Sequence, residues 1–93
     1  MVVGVARWDL HLPGCQSLKD KRRIVKSLKD RLHQRYAVSV AEVDHQDQWQ
    51  RAALGVAVVS GDARHAEDVL TSCDRLVESE PGAWISSREL SYR

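Results

Sequence analysis

The segment Ala52–Val59, AALGVAVV, is short, uncharged and β-branched at Val56, Val58 and Val59. A run of this length without polar alternation suits a strand with apolar side chains for both faces of a sheet. A central strand buried on both sides is therefore expected from about Arg51 to Ser60, ended by Gly61-Asp62. Just before it, the sequence DHQDQWQR brings His45, Asp47, Trp49 and Arg51 within seven residues. A buried strand that delivers ionisable and aromatic side chains at its start is the first place to look for function.

The flanking segments read as partners for this strand. Residues 2 to 12 form a first strand. Gly4, Ala6, Trp8, Leu10 and Leu12 make one unbroken apolar face, while Val3, Val5, Arg7, Asp9 and His11 make a face that turns polar toward its end. Pro13-Gly14 breaks it. A helix follows from Ser17 to about Gln34, with Ser17 as N-cap and Asp20 at the capping-box position. Leu18, Ile24, Val25, Leu28 and Leu32 recur at helical spacing and mark its buried side. Ala37 to Val43 is a second strand, with Val38 and Val40 on one parity. Asp62 caps a second helix to about Ser79, apolar at Ala66, Val69, Leu70, Cys73, Leu76 and Val77. Pro81-Gly82 turns the chain into a fourth strand, Ala83 to Tyr92. There Trp84, Leu90 and Tyr92 share one parity, and Ile85 takes the other.

The order is β-α-β-β-α-β. Right-handed crossovers then give a ferredoxin-like α+β domain spanning residues 1–93, a four-stranded antiparallel sheet with both helices on one face. Strands one and three take the centre, and strands two and four the edges. A sheet covered on one side normally presents a polar second face. Here strand three is apolar on both parities, and Val3 and Val5 add to the uncovered side. Monomers seldom leave such a patch bare, so a homodimer packed through that face or an edge strand is expected.

The formal net charge of +1 conceals an asymmetry. Lys19 to Arg35 holds eight Lys/Arg against Asp20 and Asp30, a segment charge of +6 over a remainder of −5. The first helix should therefore carry a basic face, centred on Lys19, Lys21, Arg22, Arg23, Lys26 and Lys29, on a mildly acidic body. Such a face neutralises phosphates without reading sequence. A solvated helix or the acidic face of a protein partner is the competing explanation.

Several classes find no support. No apolar run approaches the ~20 residues of a membrane helix. The N-terminal MVVGVARWDL lacks a basic, cleavable leader, which points to the cytoplasm and away from any membrane partner. Cys15 and Cys73 match no metal spacing, and Cys73 falls at a core position of the second helix. No glycine-rich phosphate loop, HExxH or CxxC is present, so no cofactor is called for and no reaction is spelled out. His33 and His65 sit on helix surfaces. His11 and His45 are placed at strand ends that can approach one another near Asp9, Asp44 and Asp47. Such a group can bind a divalent metal or serve in acid–base chemistry, or it can simply tie down the loop before strand three. Trp8, Trp49 and Trp84 are candidate stacking platforms. An RNA-recognition motif, which shares this strand order, needs aromatics on the open face of strands one and three. Strand three has none and Trp8 lies on the core parity, so that assignment fails. Trp49 is expected as a packing anchor at the head of the buried strand.

The runs LHLPGCQSLKDKRRIVKSLKDRL, VSVAEVDHQDQWQRAALGVAVVS and DARH resemble the YlxP-like family of small bacterial proteins, a domain of unknown function. The resemblance covers nearly the whole chain. It implies the ferredoxin-like fold reached above, and an RNA- or ribosome-linked role, because members are often encoded beside translation-initiation and ribosome-maturation factors. It brings no reaction and no catalytic residues. The leading expectation is a binding protein that contacts RNA or a ribosomal partner through the basic helix. The alternatives are an enzyme or a small-ligand or metal-binding protein using His11, His45, Asp47, Trp49 and Arg51, and a dimeric protein-interaction module.

Overall fold

A computed structural model describes Met1–Arg93. Its elements are β1 (Val2–His11), α1 (Leu18–Arg35), β2 (Ser39–Asp44), β3 (Arg51–Ser60), α2 (Ala63–Glu78) and β4 (Trp84–Tyr92). The strands form one sheet in the order β2-β3-β1-β4, antiparallel throughout. One apolar core joins α1 and α2 to a single face of that sheet, which gives the ferredoxin-like arrangement.

The alternation in β1 does what its residues dictate. Ala6, Trp8 and Leu10 are buried under the helices, and the odd-numbered residues line the opposite, open face. Trp8 is fully buried, and its indole N–H donates to Asp74 Oδ1 of α2 at 2.7 Å. Burying about 200 Å² of indole stabilises by about 5 kcal/mol. Leaving the N–H unpaired would remove about 1–3 kcal/mol of that, so Asp74 preserves the gain. The same carboxylate accepts from Arg88 Nε of β4 at 2.9 Å, joining β1, α2 and the edge strand.

Both helix starts are capped by the residues expected. Ser17 Oγ accepts from Asp20 N at 3.0 Å, and Asp62 Oδ1 accepts from Arg64 N at 2.9 Å. Asp20 reaches back one residue beyond the usual capping box, accepting from Gln16 N at 3.0 Å.

Two bulges depart from simple alternation. On β4, Asp9 faces Ser87 while Leu10 faces Ile85, so Ser86 is an extra residue, and its hydroxyl donates to the Asp9 carbonyl at 3.0 Å. The extra residue reverses the parity before it. Ile85, Leu90 and Tyr92 therefore share the helix side, and Trp84 is delivered to the open face beside His11, which corrects the grouping expected for this strand. On β2, Val43 is the extra residue between Glu42 and Asp44. Its side chain lies over Gly55, where a Cβ would approach Val43 Cγ1 to 2.9 Å.

The open face divides in two. At one end Val3 pairs with Val59 and Val5 with Ala57, and Val59 is 66% exposed. At the other end Ala53 is fully buried, flanked in register by Asp9 and Asp44. Two-sided burial of β3 is thus confined to Ala52–Leu54, because charged neighbours cover only that end.

Candidate binding surface at one end of the sheet

Lys21 organises the loop between β2 and β3. It continues the stripe of Val25, Leu28 and Leu32 and is 1% exposed. From inside the molecule its ammonium donates to the carbonyls of His45 at 2.8 Å, Gln46 at 3.1 Å and Arg51 at 3.4 Å, and it pairs with Glu42 Oε2 at 2.9 Å. A buried ammonium persists only when such partners replace its water. Lys21 therefore does not belong to the outward basic face where the sequence placed it. Helical spacing carried the signal, since Lys21 precedes Val25 by one turn and Leu28 by two, and its charge masked it.

The loop that Lys21 holds begins with a closed group of charges. His45 takes a positive φ of 63°, and its backbone N–H donates to Asp44 Oδ1 at 2.8 Å. That short polar tie makes the left-handed conformation tolerable for a residue with a Cβ. The His45 ring then lies with Nε2 3.3 Å from Asp9 Oδ1, and Nδ1 faces the Gln48 amide at 3.5 Å. Arg7 donates to both oxygens of Asp9 at 3.2 Å and to Asp44 Oδ2 at 3.3 Å. The Arg7 hydrogen bond, chiefly, holds the Asp9 carboxyl below the usual carboxylate range, and Asp44 is lowered first by the His45 N–H and then by Arg7. Arg7 is raised in turn by the two carboxylates. The strand ends do meet, as expected, but the group is His45, Asp9, Asp44 and Arg7. His11 and Asp47 are elsewhere. No set of three or more His, Cys, Asp or Glu side chains is arranged to hold a metal ion.

His11 and Asp47 instead line a shallow cleft of about 520 Å³, together with Gln48, Trp49, Gln50 and Arg51. Four of the five residues expected at a ligand site thus come together. His45 does not, because Asp9 draws its ring toward the middle of the sheet. Trp49 is 52% exposed, so it is a wall of this cleft and not the packing anchor expected from its place before β3. Beside the cleft, the rings of His11 and Trp84 lie 6.0 Å apart at 60°, and Trp84 is 64% exposed. Arg51, His11 and Trp84 are successive cross-strand neighbours on β3, β1 and β4. The cleft floor is fixed by Gln50. Its side-chain amide donates to the carbonyls of Pro13 at 3.3 Å and Cys15 at 3.2 Å, and its backbone carbonyl accepts from Leu12 N at 2.9 Å.

The same end of the molecule carries the start of α1. Lys19, Arg22, Arg23 and Lys26 are exposed or partly exposed, and Lys29 is half-buried. Lys26 pairs with Asp30 at 2.7 Å, whereas Lys19, Arg22, Arg23 and Lys29 form no ion pair. Arg31 turns away to Glu80. Both cysteines are buried, and burial pushes the Cys73 thiol up to about 11, so neither presents a reactive thiolate.

Residues 3–89 match the model of a family described as a protein of unknown function, DUF503. The chain belongs to the DUF503 family. The chain is also 31% identical over 80 residues to the uncharacterized protein YlxP of Bacillus subtilis (strain 168), covering 86% of this chain and 87% of that one. The resemblance read from the sequence is thereby confirmed. Among solved structures, the de novo designed protein Foldit4 superposes with a TM-score of 0.58 at 14% identity, over 100% of this chain and 97% of its own. A designed protein with ferredoxin fold gives 0.54 at 16% identity, over 97% of this chain and 84% of its own. These likenesses establish the DUF503 chain's fold and nothing more. No helix is long and apolar enough to cross a membrane.

Proposed function

We propose that this protein is a binding protein of the cytoplasm that docks on RNA, in the ribosome or during its assembly, through the outward face of α1. The observation that carries the reading is that Lys19, Arg22 and Arg23 face solvent on one helix with no carboxylate paired to any of them. Exposed cations of this kind gain little from their own surface and much from a polyanion that releases its counterions. The reading assigns His45 to structure, since Asp9 and Gln48 engage its ring nitrogens, and it requires no reaction.

The test is binding of ribosomal RNA fragments, followed by anisotropy across a salt series. Log affinity is expected to fall linearly with log salt, with a slope of about −0.7 per phosphate neutralised on a single strand. The Arg22→Glu/Arg23→Glu protein should lose most of the affinity and flatten the slope. Unchanged binding by that protein would overturn the reading, and salt-sensitive capture of an acidic protein without RNA would reassign the face to a protein partner.

The same proposal gives the apolar end of the open face to a second copy of this chain. Val3, Val5, Ala57 and Val59 supply apolar surface of the kind buried between stacked sheets. Arg7 is paired with both neighbouring carboxylates, Asp9 and Asp44, so an identical face would meet no charge that lacks a partner, although the trio keeps one negative charge in excess.

A further inference from the structure

We infer that the cleft bounded by His11, Trp49 and Arg51 is a subsite for one nucleotide of a single strand, with the base stacked on Trp49. The inference rests on the reading of α1 as a phosphate-binding face and names the form of RNA that this face receives, a strand with an unpaired base.

Three independent features converge. The first is aromatic surface. Trp49 and Trp84 are each more than half exposed, while Trp8, the third tryptophan, is fully buried. An exposed indole gains from a flat partner, and every base offers one. The second is unspent polar chemistry. Arg51 and Asp47 line the cleft, and neither side chain has a hydrogen-bonding or ionic partner within the protein. A guanidinium suits a phosphate, and a carboxylate accepts from a base amino group or a ribose hydroxyl. The third is rigidity. Lys21 clamps the carbonyls of His45, Gln46 and Arg51 from below, and Gln50 ties the loop to Pro13 and Cys15. A loop held by its backbone can leave its side chains free and still present them in one geometry, which lowers the ordering cost of binding. The volume, about 520 Å³, falls within the range of small-ligand sites.

Placement supports continuity with α1. The tie from Gln50 to Cys15 and the reach of Lys21 into the loop set the first turn of the basic helix beside the cleft. A strand whose phosphates follow Lys19 and Arg22 can therefore turn a base into the cleft. This differs from stacking on the middle of an open sheet, which Arg7, Asp9 and Asp44 occupy here.

The experiment compares a labelled single-stranded RNA octamer with the corresponding duplex, by anisotropy at low salt, for the wild-type protein and for Trp49→Ala and Trp49→Phe. The wild type should prefer the single strand. Trp49→Ala should weaken single-strand binding by about tenfold, within the range expected for one stacked base, while leaving duplex binding unchanged, and Trp49→Phe should recover most of the loss. A mononucleotide arm separates a free nucleotide from a strand. Adenosine monophosphate alone should quench the exposed indole fluorescence at millimolar concentration, and Trp49→Ala should remove most of that quenching. If single strand and duplex bind equally and Trp49→Ala alters neither, the subsite is overturned and the phosphate-binding face stands. If neither RNA binds, the reading of α1 fails, and the mononucleotide arm decides the cleft alone, with absence of quenching overturning it.

Discussion

Lys21 is the residue on which the loop between β2 and β3 most depends. Removing its ammonium in Lys21→Ala strands the Glu42 carboxylate and the carbonyls of His45, Gln46 and Arg51. Breaking a buried pair on one side costs about 3–5 kcal/mol. Urea denaturation of Lys21→Ala should show a loss of that order, and Lys21→Met/Glu42→Gln should recover part of it by removing both charges. Asp9 and Asp44 make the second residue-level prediction. Their folded pKa values lie below the ordinary carboxylate value, so the unfolded chain takes up protons first as pH falls. Their stabilising contribution is fully present above the unfolded pKa, about 4, and is lost as pH drops through the lower folded values. Thermal melts from pH 6 to pH 2 should show this acid limb, and Asp9→Asn should make it shallower.

At the scale of the element, the edge strand β2 owes its shape to the bulge at Val43 and to the absence of a side chain at Gly55. A Cβ at Gly55 would come within 2.9 Å of Val43 Cγ1, closer than real side chains approach. Gly55→Ala should therefore destabilise the protein by about 1–3 kcal/mol, as overpacking generally does. Gly55→Ala/Val43→Ala should be closer to wild type, a coupling that a double-mutant cycle in urea measures directly. The elements themselves are legible in the chain's own pattern. Ser17 and Asp62 announce their helices, and Gly4 to Leu12 announce the buried parity of β1. Bulges are not legible. Nothing local in WISSREL says that Ser86 is skipped by β1, since that depends on register with a strand at the opposite end of the chain.

The open face and its rim are asymmetric, with the cleft at the end where α1 starts and a bare apolar corner around Val3 and Val59 at the other. If a second copy covers that corner, light scattering at tens of micromolar should report a dimer. Val59→Asp should then yield a monomer that melts below the wild-type dimer at that concentration and level with wild type diluted until it dissociates, because Val59 is two-thirds exposed within one chain. A wild-type protein that stays monomeric under those conditions would remove the second copy from the proposal and leave the RNA face untouched.

Local pattern was enough for the kind and order of the six elements, for the N-caps of both helices and for the ferredoxin-like topology, while the family was legible as a resemblance to YlxP-like proteins. The elements follow from periodicity and turn chemistry within short windows, and the family from the likeness of three runs to known relatives. The same pattern marked His11, Asp47, Trp49 and Arg51 as a group, because three of them are close in sequence and the fourth ends the neighbouring strand. Three-dimensional packing alone turned Lys21 inward, took His45 out of this group to Asp9, and brought Trp84 beside His11. Each of those outcomes turns on which atoms of distant segments meet after the strands have found their register. A buried charge, a shared carboxylate and a skipped residue exist only in that pairing.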